Sequence, residues 1–277
     1  GATGAVQRYV VTGLTPAQQD ELVKAYALQA ERVAAPRGAR ELKRPRVGLY
    51  RPWMASMDEG WTRWMLERYG FDVVSLYPRD FRAGVLADRI DTLVIADEAR
   101  GLLEGYAKGV VPPQFEGGIG EDGVRAIDAF VRAGGTLICF NRSTAFAIQQ
   151  FGLPVKNVVA GMKRQEFFTG GSVMAVETTP AHPVMAGMPE QAAIFVDSSP
   201  AFETGEGFKG EVLARYQSTG SPLMSGYLLG ERFLNGRAAA LDVAHGNGHI
   251  TLLGFRPQWR GQPFGTFRVV FNAVMPR

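Results

Sequence analysis

The chain has 277 residues, of which 46% are hydrophobic and 21% are charged, with a net charge of +3. These proportions are typical of a globular protein with room for one large domain or two small ones. The basic residues do not form the dense patches that bind nucleic acid, and no apolar run is long enough to cross a membrane. Nucleic acid and membranes are therefore not among the predicted partners.

Residues 1–45 predict a helical segment followed by a linker. Thr15 can cap a helix whose first position is Pro16, and Leu22 and Tyr26 recur at helical spacing. The stretch 35–46 is rich in proline, glycine and arginine, which favours a linker. The main domain is therefore predicted to span residues 46–277.

From residue 46 onwards, short apolar strands alternate with helices. Strands are predicted at 46–52, 71–78, 91–98 and 135–141, with helices at 56–70, 121–135 and 143–152. This alternation predicts an α/β fold with a mainly parallel, doubly wound sheet of the flavodoxin-like type. From about residue 153 the apolar segments become short and turn-bounded, which predicts an antiparallel extension, with a hairpin at 236–255 and a closing helix at 265–275.

Polar loops follow several of the predicted strands. In open α/β sheets, ligands bind at the carboxyl ends of the parallel strands, so these loops should meet at one edge. The candidates for binding a ligand or partner there are Asp58, Glu59, Asn141, Arg142, Ser143, Arg256, Gln258, Trp259 and Arg260.

Two roles stay open for the arginines of the last loop. Arg256 and Arg260 can each hold a carboxylate of a ligand through two parallel hydrogen bonds. They could instead pair with acidic residues of the neighbouring loops and brace them. Among the aromatic residues, Trp61 and Trp64 have the helical spacing of core residues, whereas Trp259 lies in a loop.

Two stretches carry a resemblance to a known family, namely YRPWMASMDEGWTRWMLERYGF (50–71) and GFRPQWRGQPFGTFRVVFNAV (254–274). They resemble the domain that follows the catalytic domain in bacterial zinc carboxypeptidases of the carboxypeptidase A type. That domain is similar in fold to class I glutamine amidotransferases. The resemblance covers roughly residues 6–277 and includes HPVMAGMPE (182–190).

The resemblance implies an accessory module of an exported metallocarboxypeptidase. Its partner would be the carboxypeptidase catalytic domain, in cis or in trans, or a small anionic or peptide ligand. The peptidase itself would need a His-x-x-Glu pair and a distant histidine, but none of His182, His245 and His249 has a glutamate three residues later. Zinc is therefore expected only in a separate peptidase domain, and no cofactor is expected in this chain.

His245 and His249 raise a second possibility for a metal. They flank a Gly-Asn-Gly turn, so their side chains could approach each other across a hairpin as two metal ligands. A third ligand is not evident from the sequence. The simpler interpretation is that both histidines stabilise the hairpin, and no metal site is predicted.

Amidotransferase chemistry needs a cysteine on a sharp turn between a strand and a helix, activated by a histidine that a glutamate orients. The corresponding turn is FNRSTAF (140–146), whereas Cys139 lies inside the apolar strand LICF (137–140). No His-x-Glu pair follows, and Ser143 is explained by capping of the next helix. The sequence therefore predicts a non-catalytic module, with a stand-alone hydrolase or amidotransferase-like enzyme using the same pocket as the alternative.

Overall fold

The computed structural model describes residues 9–34, 42–98 and 101–276. The first of these ranges contains helix α1 (Pro16–Tyr26), which is capped by Thr15, and none of the residues of α1 is buried. Residues 35–41 of the predicted linker lie outside the described residues. None of the helices in the described ranges has the length and apolar character needed to cross a membrane.

The helices after α1 are α2 (Met57–Arg68), α3 (Pro78–Arg82), α4 (Leu86–Arg89), α5 (Gly120–Arg132), α6 (Thr144–Gln150) and α7 (Phe264–Val274). The strands are β1 (Val47–Tyr50), β2 (Val73–Leu76), β3 (Thr92–Ile95), β4 (Thr136–Phe140), β5 (Val155–Asn157), β6 (Phe168–Thr169), β7 (Ser172–Thr178), β8 (Gln191–Val196), β9 (Phe202–Thr204), β10 (Gly210–Arg215), β11 (Leu223–Ser225), β12 (Leu228–Leu229), β13 (Ala238–His245) and β14 (Gly248–Leu253). From β1 to α6, strands alternate with helices as predicted, and two short helices that the sequence did not predict, α3 and α4, stand between β2 and β3.

One large sheet organises these elements. Its parallel part has the spatial order β2-β1-β3-β4-β14, and it continues through β13, β10, β7 and β11 as antiparallel neighbours. The predicted hairpin is the pair β13–β14, in which Leu241 faces Leu252. The last parallel strand is therefore β14, and the loop that follows it lies beside the end of β4.

Hydrophobic cores cover both faces of the sheet. One face packs against α2 and α7 through residues such as Met65 and Phe267. The other face packs against α3, α4, α5 and α6 through residues such as Phe81 and Ile127. The mainly parallel α/β fold with helices on both faces and an antiparallel extension is thus confirmed.

Helix α2 differs from the prediction in the face that it buries. Its buried residues are Asp58, Thr62, Met65 and Leu66, whereas Trp64 is 39% exposed and is not part of the core. The spacing i, i+4, i+7, i+8 is the ordinary pattern of a buried helix face. Two positions of this face are polar, and both of them belong to the candidate functional site.

Candidate functional site

Arg256 is the centre of a buried charge network at the carboxyl edge of the parallel strands. It follows β14 and is only 6% exposed. Its Nη1 donates to Oδ2 of Asp58 at 2.6 Å, and its Nη2 lies 2.6 Å from Oδ2 of Asp97. One arginine therefore joins the N-terminus of α2 to the end of β3. This arrangement favours the bracing role for Arg256.

Asp97 is shared between two arginines. Its Oδ1 accepts from the backbone N–H of Arg142 at 3.0 Å and from Nε of Arg142 at 2.9 Å. Nη2 of Arg142 donates to Oδ2 of Asp97 at 2.7 Å, the same oxygen that Arg256 contacts. The hydrogen bonds to Asp97 raise the pKa of Arg142, so this guanidinium stays charged. Almost half of the Arg142 side chain is nevertheless exposed.

The N-terminus of α2 supplies the other half of the network. Burial raises the pKa of Asp58 above its ordinary value, and the adjacent Arg256 only partly offsets this effect. Gln258 is also buried, and its Nε2 donates to the backbone oxygen of Asp58 at 3.1 Å and to Oγ1 of Thr62 at 2.9 Å. Arg256 and Gln258 therefore hold the first turn of α2 in place.

The sharp turn after β4 is occupied by Asn141. This residue has φ = 50°, the left-handed conformation that is uncommon for residues other than glycine. Its Nδ2 donates to the backbone oxygen of Asp197 at 3.2 Å, and its own carbonyl accepts from Oγ1 of Thr144 at 2.6 Å. An amide side chain thus stands at the turn where an amidotransferase would need its nucleophile.

The expectation that Ser143 caps the next helix is wrong. Its side chain makes no capping hydrogen bond, and its Oγ instead lies 2.9 Å from the backbone oxygen of Ile95 and 2.8 Å from that of Phe140. Both contacts tie the end of β4 to the end of β3. Because Ser143 is fully buried, this hydroxyl serves the packing of the turn.

Three candidates lie around the network and make other contacts. Glu59 pairs with Arg63 at 2.5 Å within α2 and does not contact Arg256. Trp259 stacks on Phe195 with 5.2 Å between ring centroids, and the guanidinium of Arg256 lies 4.7 Å from its ring. Arg260 is exposed, adopts φ = 49° and lies 5.1 Å from the same ring. The predicted approach of Arg260 and Glu59 to the network is therefore indirect.

Buried polar atoms without partners are concentrated in this network. Among the described residues, the buried side-chain atoms that lack a hydrogen bond are Oδ1 of Asn141, Nε of Arg256, Oε1 of Gln258 and Oγ1 of Thr169. Three of these four belong to the carboxyl edge. Leaving a buried polar group without a hydrogen bond costs about 1–3 kcal/mol. A molecule that binds at this edge could supply the missing hydrogen bonds.

Cys139 has the properties of a core thiol. It is fully buried in β4, and burial raises its pKa to about 12. A thiolate, the reactive form, is therefore scarce at neutral pH. A contact with the Ser143 hydroxyl only partly offsets this effect of burial.

We expect native Cys139 to resist thiol reagents. At neutral pH, an alkylating reagent in excess should leave the folded protein unlabelled, because the thiol is both inaccessible and protonated. Mass spectrometry after denaturation should show complete labelling of the same sample. Rapid stoichiometric labelling of the native protein would contradict this prediction and point to an accessible cysteine.

Each of the three histidines lies beside a carboxylate, and His182 and His249 share Asp242. His245 lies 2.6 Å from Asp128, and His249 lies 2.9 Å from Asp242. In the hairpin, His245 is paired with Gly248, so the side chain of the next residue, His249, points to the opposite face. The two histidines therefore do not converge as metal ligands. Nδ1 of His182 accepts from the backbone N–H of Val184, and its Nε2 lies 3.6 Å from Oδ2 of Asp242.

Asp128 gives the fold a pH-dependent contribution. Burial alone would raise the pKa of Asp128, but hydrogen bonds from His245 and Arg132 outweigh it and hold the pKa below its ordinary value. A lowered pKa means that the folded state favours the carboxylate. The stabilisation is complete above the ordinary aspartate pKa of about 3.9 and is lost as the pH falls through the lowered value.

We therefore expect Asp128→Asn to lower Tm near neutral pH. The difference from the wild type should shrink as the pH falls below about 4 and disappear in stronger acid, because the wild-type carboxyl is then protonated as well. Thermal melts by circular dichroism over this range can measure it. The exposed Asp122→Asn on the same helix is the control. A constant difference at every pH would show that the lost contact is not ionic.

Sequence reasoning missed two contributors to the site. Thr62 is polar but occupies the buried face of α2, where only its i+4 spacing from Asp58 could have indicated its role. The backbone oxygen of Asp197 follows β8 in the antiparallel extension, and it holds Asn141 from outside the parallel sheet. No signal in the sequence near residue 197 relates it to the end of β4.

The sheet order defines a mainly parallel α/β protein whose fold is similar to that of glutamine amidotransferases. Among solved structures, a glutamine amidotransferase from Thermotoga maritima matches with a TM-score of 0.51 and 9% identity, covering 84% of this chain and 96% of its own. A cytoplasmic protein from Salmonella typhimurium matches with a TM-score of 0.50 and 13% identity, covering 83% of this chain and 99% of its own.

A second cytoplasmic protein, from Salmonella typhimurium LT2, has a TM-score of 0.50 and 14% identity over 83% of this chain and 99% of its own. No family model matches the sequence. No curated protein matches it either. At these identities the structural likeness concerns the fold alone, so function has to be argued from the residues of the site.

Proposed function

We propose that this chain is a non-catalytic amidotransferase-like module that accompanies a zinc carboxypeptidase of the carboxypeptidase A type. It would bind the catalytic domain, in cis or in trans, or a small anionic or peptide ligand, at the carboxyl edge of the sheet. The proteolytic activity would then belong to the partner. The association with a carboxypeptidase rests on the sequence resemblance of residues 50–71 and 254–274.

The proposal that the module is non-catalytic rests on the side chains in the turn after β4 and in the loop after β14. Asn141 offers an amide, which is not a nucleophile, at the turn after β4. The loop after β14 offers Arg256 and Gln258, and an arginine side chain stays protonated and cannot act as a general base. The buried Arg256 is also engaged by two carboxylates, so the site supports bracing better than acid–base chemistry.

Binding at this edge is supported by polar groups that remain available. The outer part of the Arg142 side chain is exposed although its inner edge is engaged by Asp97. Arg260 is exposed and is oriented by its contact with Trp259. Arginine guanidinium groups recognise carboxylates and phosphates through paired hydrogen bonds. An anionic group of a ligand or partner could therefore engage Arg142 and Arg260 without breaking the buried network.

Enzyme assays with the purified chain test the non-catalytic part. Incubation with glutamine should release no ammonia, and incubation with peptides in the presence of zinc should release no C-terminal residues. The alternative, a stand-alone enzyme at the same edge, would give turnover that falls on Arg256→Met or Asn141→Ala and persists in a variant remote from the edge, such as Arg125→Gln. Such a pattern would contradict the proposal.

The partner is tested by calorimetric titration with a separately expressed carboxypeptidase catalytic domain of the resembled type. We expect a 1:1 complex whose affinity falls at least tenfold for Arg142→Gln and Arg260→Gln. Arg232→Gln is a matched control, since Arg232 is also exposed and lies 4.4 Å from the ring of its neighbour Phe233. The absence of any complex with the wild-type chain would remove the peptidase from the proposal.

A further inference from the structure

An uncovered aromatic surface lies on the outer side of α2 and α7. We define it by Trp64, Tyr69 and Phe264, which are 39%, 51% and 62% exposed. All three surround the buried ring of Phe267, with centroid distances of 6.4, 6.2 and 5.0 Å. Met57 extends the surface along α2, seven residues before Trp64 and on the same face. Contiguous exposed apolar surfaces of this kind mark interaction sites.

The N-terminal segment, residues 9–34, is a second uncovered element. Its helix α1 is specified by its own sequence, with Pro16 at the first position and a capping box between Thr15 and Gln18. Leu22 and Tyr26, one turn apart, are exposed, and the chain itself buries no residue of α1. An isolated helix of 11 residues is marginal in water, so α1 needs a surface to pack against.

Residues 42–45, which precede β1, lie beside the aromatic surface. Leu42 to Pro45 line an open surface depression together with Tyr69, Phe71 and Met275, and Tyr69 belongs to the aromatic surface. Arg44 contacts the end of α2 through a hydrogen bond to the backbone oxygen of Gly70 and forms an exposed ion pair with Asp72 at 3.4 Å. Two copies that face each other through their aromatic surfaces would therefore place residues 42–45 of each copy beside the contact, eight residues along the chain from the end of the N-terminal segment.

We propose that the aromatic surface is the docking site for α1 of a second copy of this chain. Each copy carries both complementary elements, and within one copy the helix is left exposed. A reciprocal exchange between two copies covers all four elements and closes the assembly as a two-fold dimer. The occupant is thus a second copy, and this inference does not depend on the proposed carboxypeptidase partner.

Charge complementarity supports the same pairing. The first half of α1 carries Asp20 and Glu21, both exposed. The exposed arginines on the two helices of the aromatic surface are Arg68 at the end of α2 and Arg268, one turn after Phe264. Opposite charges around an apolar contact steer the encounter and fix its register. The pairing should therefore weaken moderately as the salt concentration rises.

The oligomeric state of the full chain tests the proposal. Light scattering coupled to size exclusion should give a dimer at micromolar concentration. Leu22→Asp with Tyr26→Asp in α1, and separately Trp64→Ser with Phe264→Ser in the surface, should each raise the dimer dissociation constant at least tenfold. Tyr227→Ser is the control. It replaces an exposed aromatic residue between β11 and β12, outside the aromatic surface, and this variant should remain dimeric. Melts by circular dichroism confirm that each variant is folded.

Mixing the two double variants shows whether the contact runs between copies. The surface variant still has an intact α1, and the α1 variant still has an intact surface, so a mixed dimer retains one of the two contacts. We expect the mixture to dimerise more tightly than either variant alone. A monomeric wild-type chain would overturn the proposal, as would a wild-type dimer that none of the substitutions weakens.

Discussion

Arg256→Ala is expected to lower the free energy of unfolding by about 3–5 kcal/mol. The substitution removes the guanidinium that Asp58 and Asp97 share, and it leaves both carboxyl groups buried with fewer partners. Asp97 keeps Arg142, but Asp58 keeps no other charged partner as close. Urea unfolding of the wild type and the variant, followed by tryptophan fluorescence and circular dichroism, measures the difference.

The matched control is an arginine whose ion pairs are exposed. Arg125 pairs with Glu121 and Asp122 on α5, and its side chain is 66% exposed. Arg125→Ala should change the free energy of unfolding by only about 0–1 kcal/mol, because exposed ion pairs are screened by water and salt. Equal effects of the two substitutions would show that the Arg256 network does not brace the fold. A large loss of partner binding with an unchanged melt would favour the binding role instead.

The parallel core of the fold could be predicted because its signals are local. Apolar strands such as 136–140 end at polar turns, and helices such as α5 show a regular spacing of buried residues. The carboxyl edge follows from topology, since the ends of neighbouring parallel strands must meet there. The predicted strand order alone was therefore enough to suggest that Asp58 and Arg256, which are 198 residues apart, could contact each other.

The remaining contacts depend on side-chain directions that sequence patterns do not fix. Trp64 was expected in the core because its spacing fits a helix. The buried face of α2 instead includes Asp58 and Thr62, which leaves Trp64 exposed. Those polar residues can be buried because Arg256 and Gln258 satisfy them. The capping role of Ser143 failed for another reason, since Ser143 is the last residue of a short turn, its backbone is already helical where α6 begins, and its hydroxyl meets β3. The presence of that turn cannot be read from the sequence pattern of a helix cap.

Asn141→Ala is expected to lower the free energy of unfolding by about 2–3 kcal/mol. Alanine in the left-handed conformation costs roughly 1–2 kcal/mol, and losing the hydrogen bond to the Asp197 backbone costs about 1 kcal/mol. The chain cannot relax easily, because the carbonyl of Asn141 is held by Thr144 and the flanking Ser143 is held between two strands. Chemical unfolding of the variant measures the combined effect.

Asn141→Gly separates the two contributions, because glycine adopts φ = 50° without steric cost. This variant should lose the amide contact together with the unpaired Oδ1, so it should be destabilised by no more than about 1 kcal/mol. Glycine should therefore be better tolerated than alanine at this position, the reverse of their order inside helices and strands. If alanine is tolerated as well as glycine, the turn after β4 has relaxed out of the left-handed conformation. The rigid elbow on which the edge is built would then be lost, and Arg142 would no longer be fixed against Asp97 by its backbone N–H.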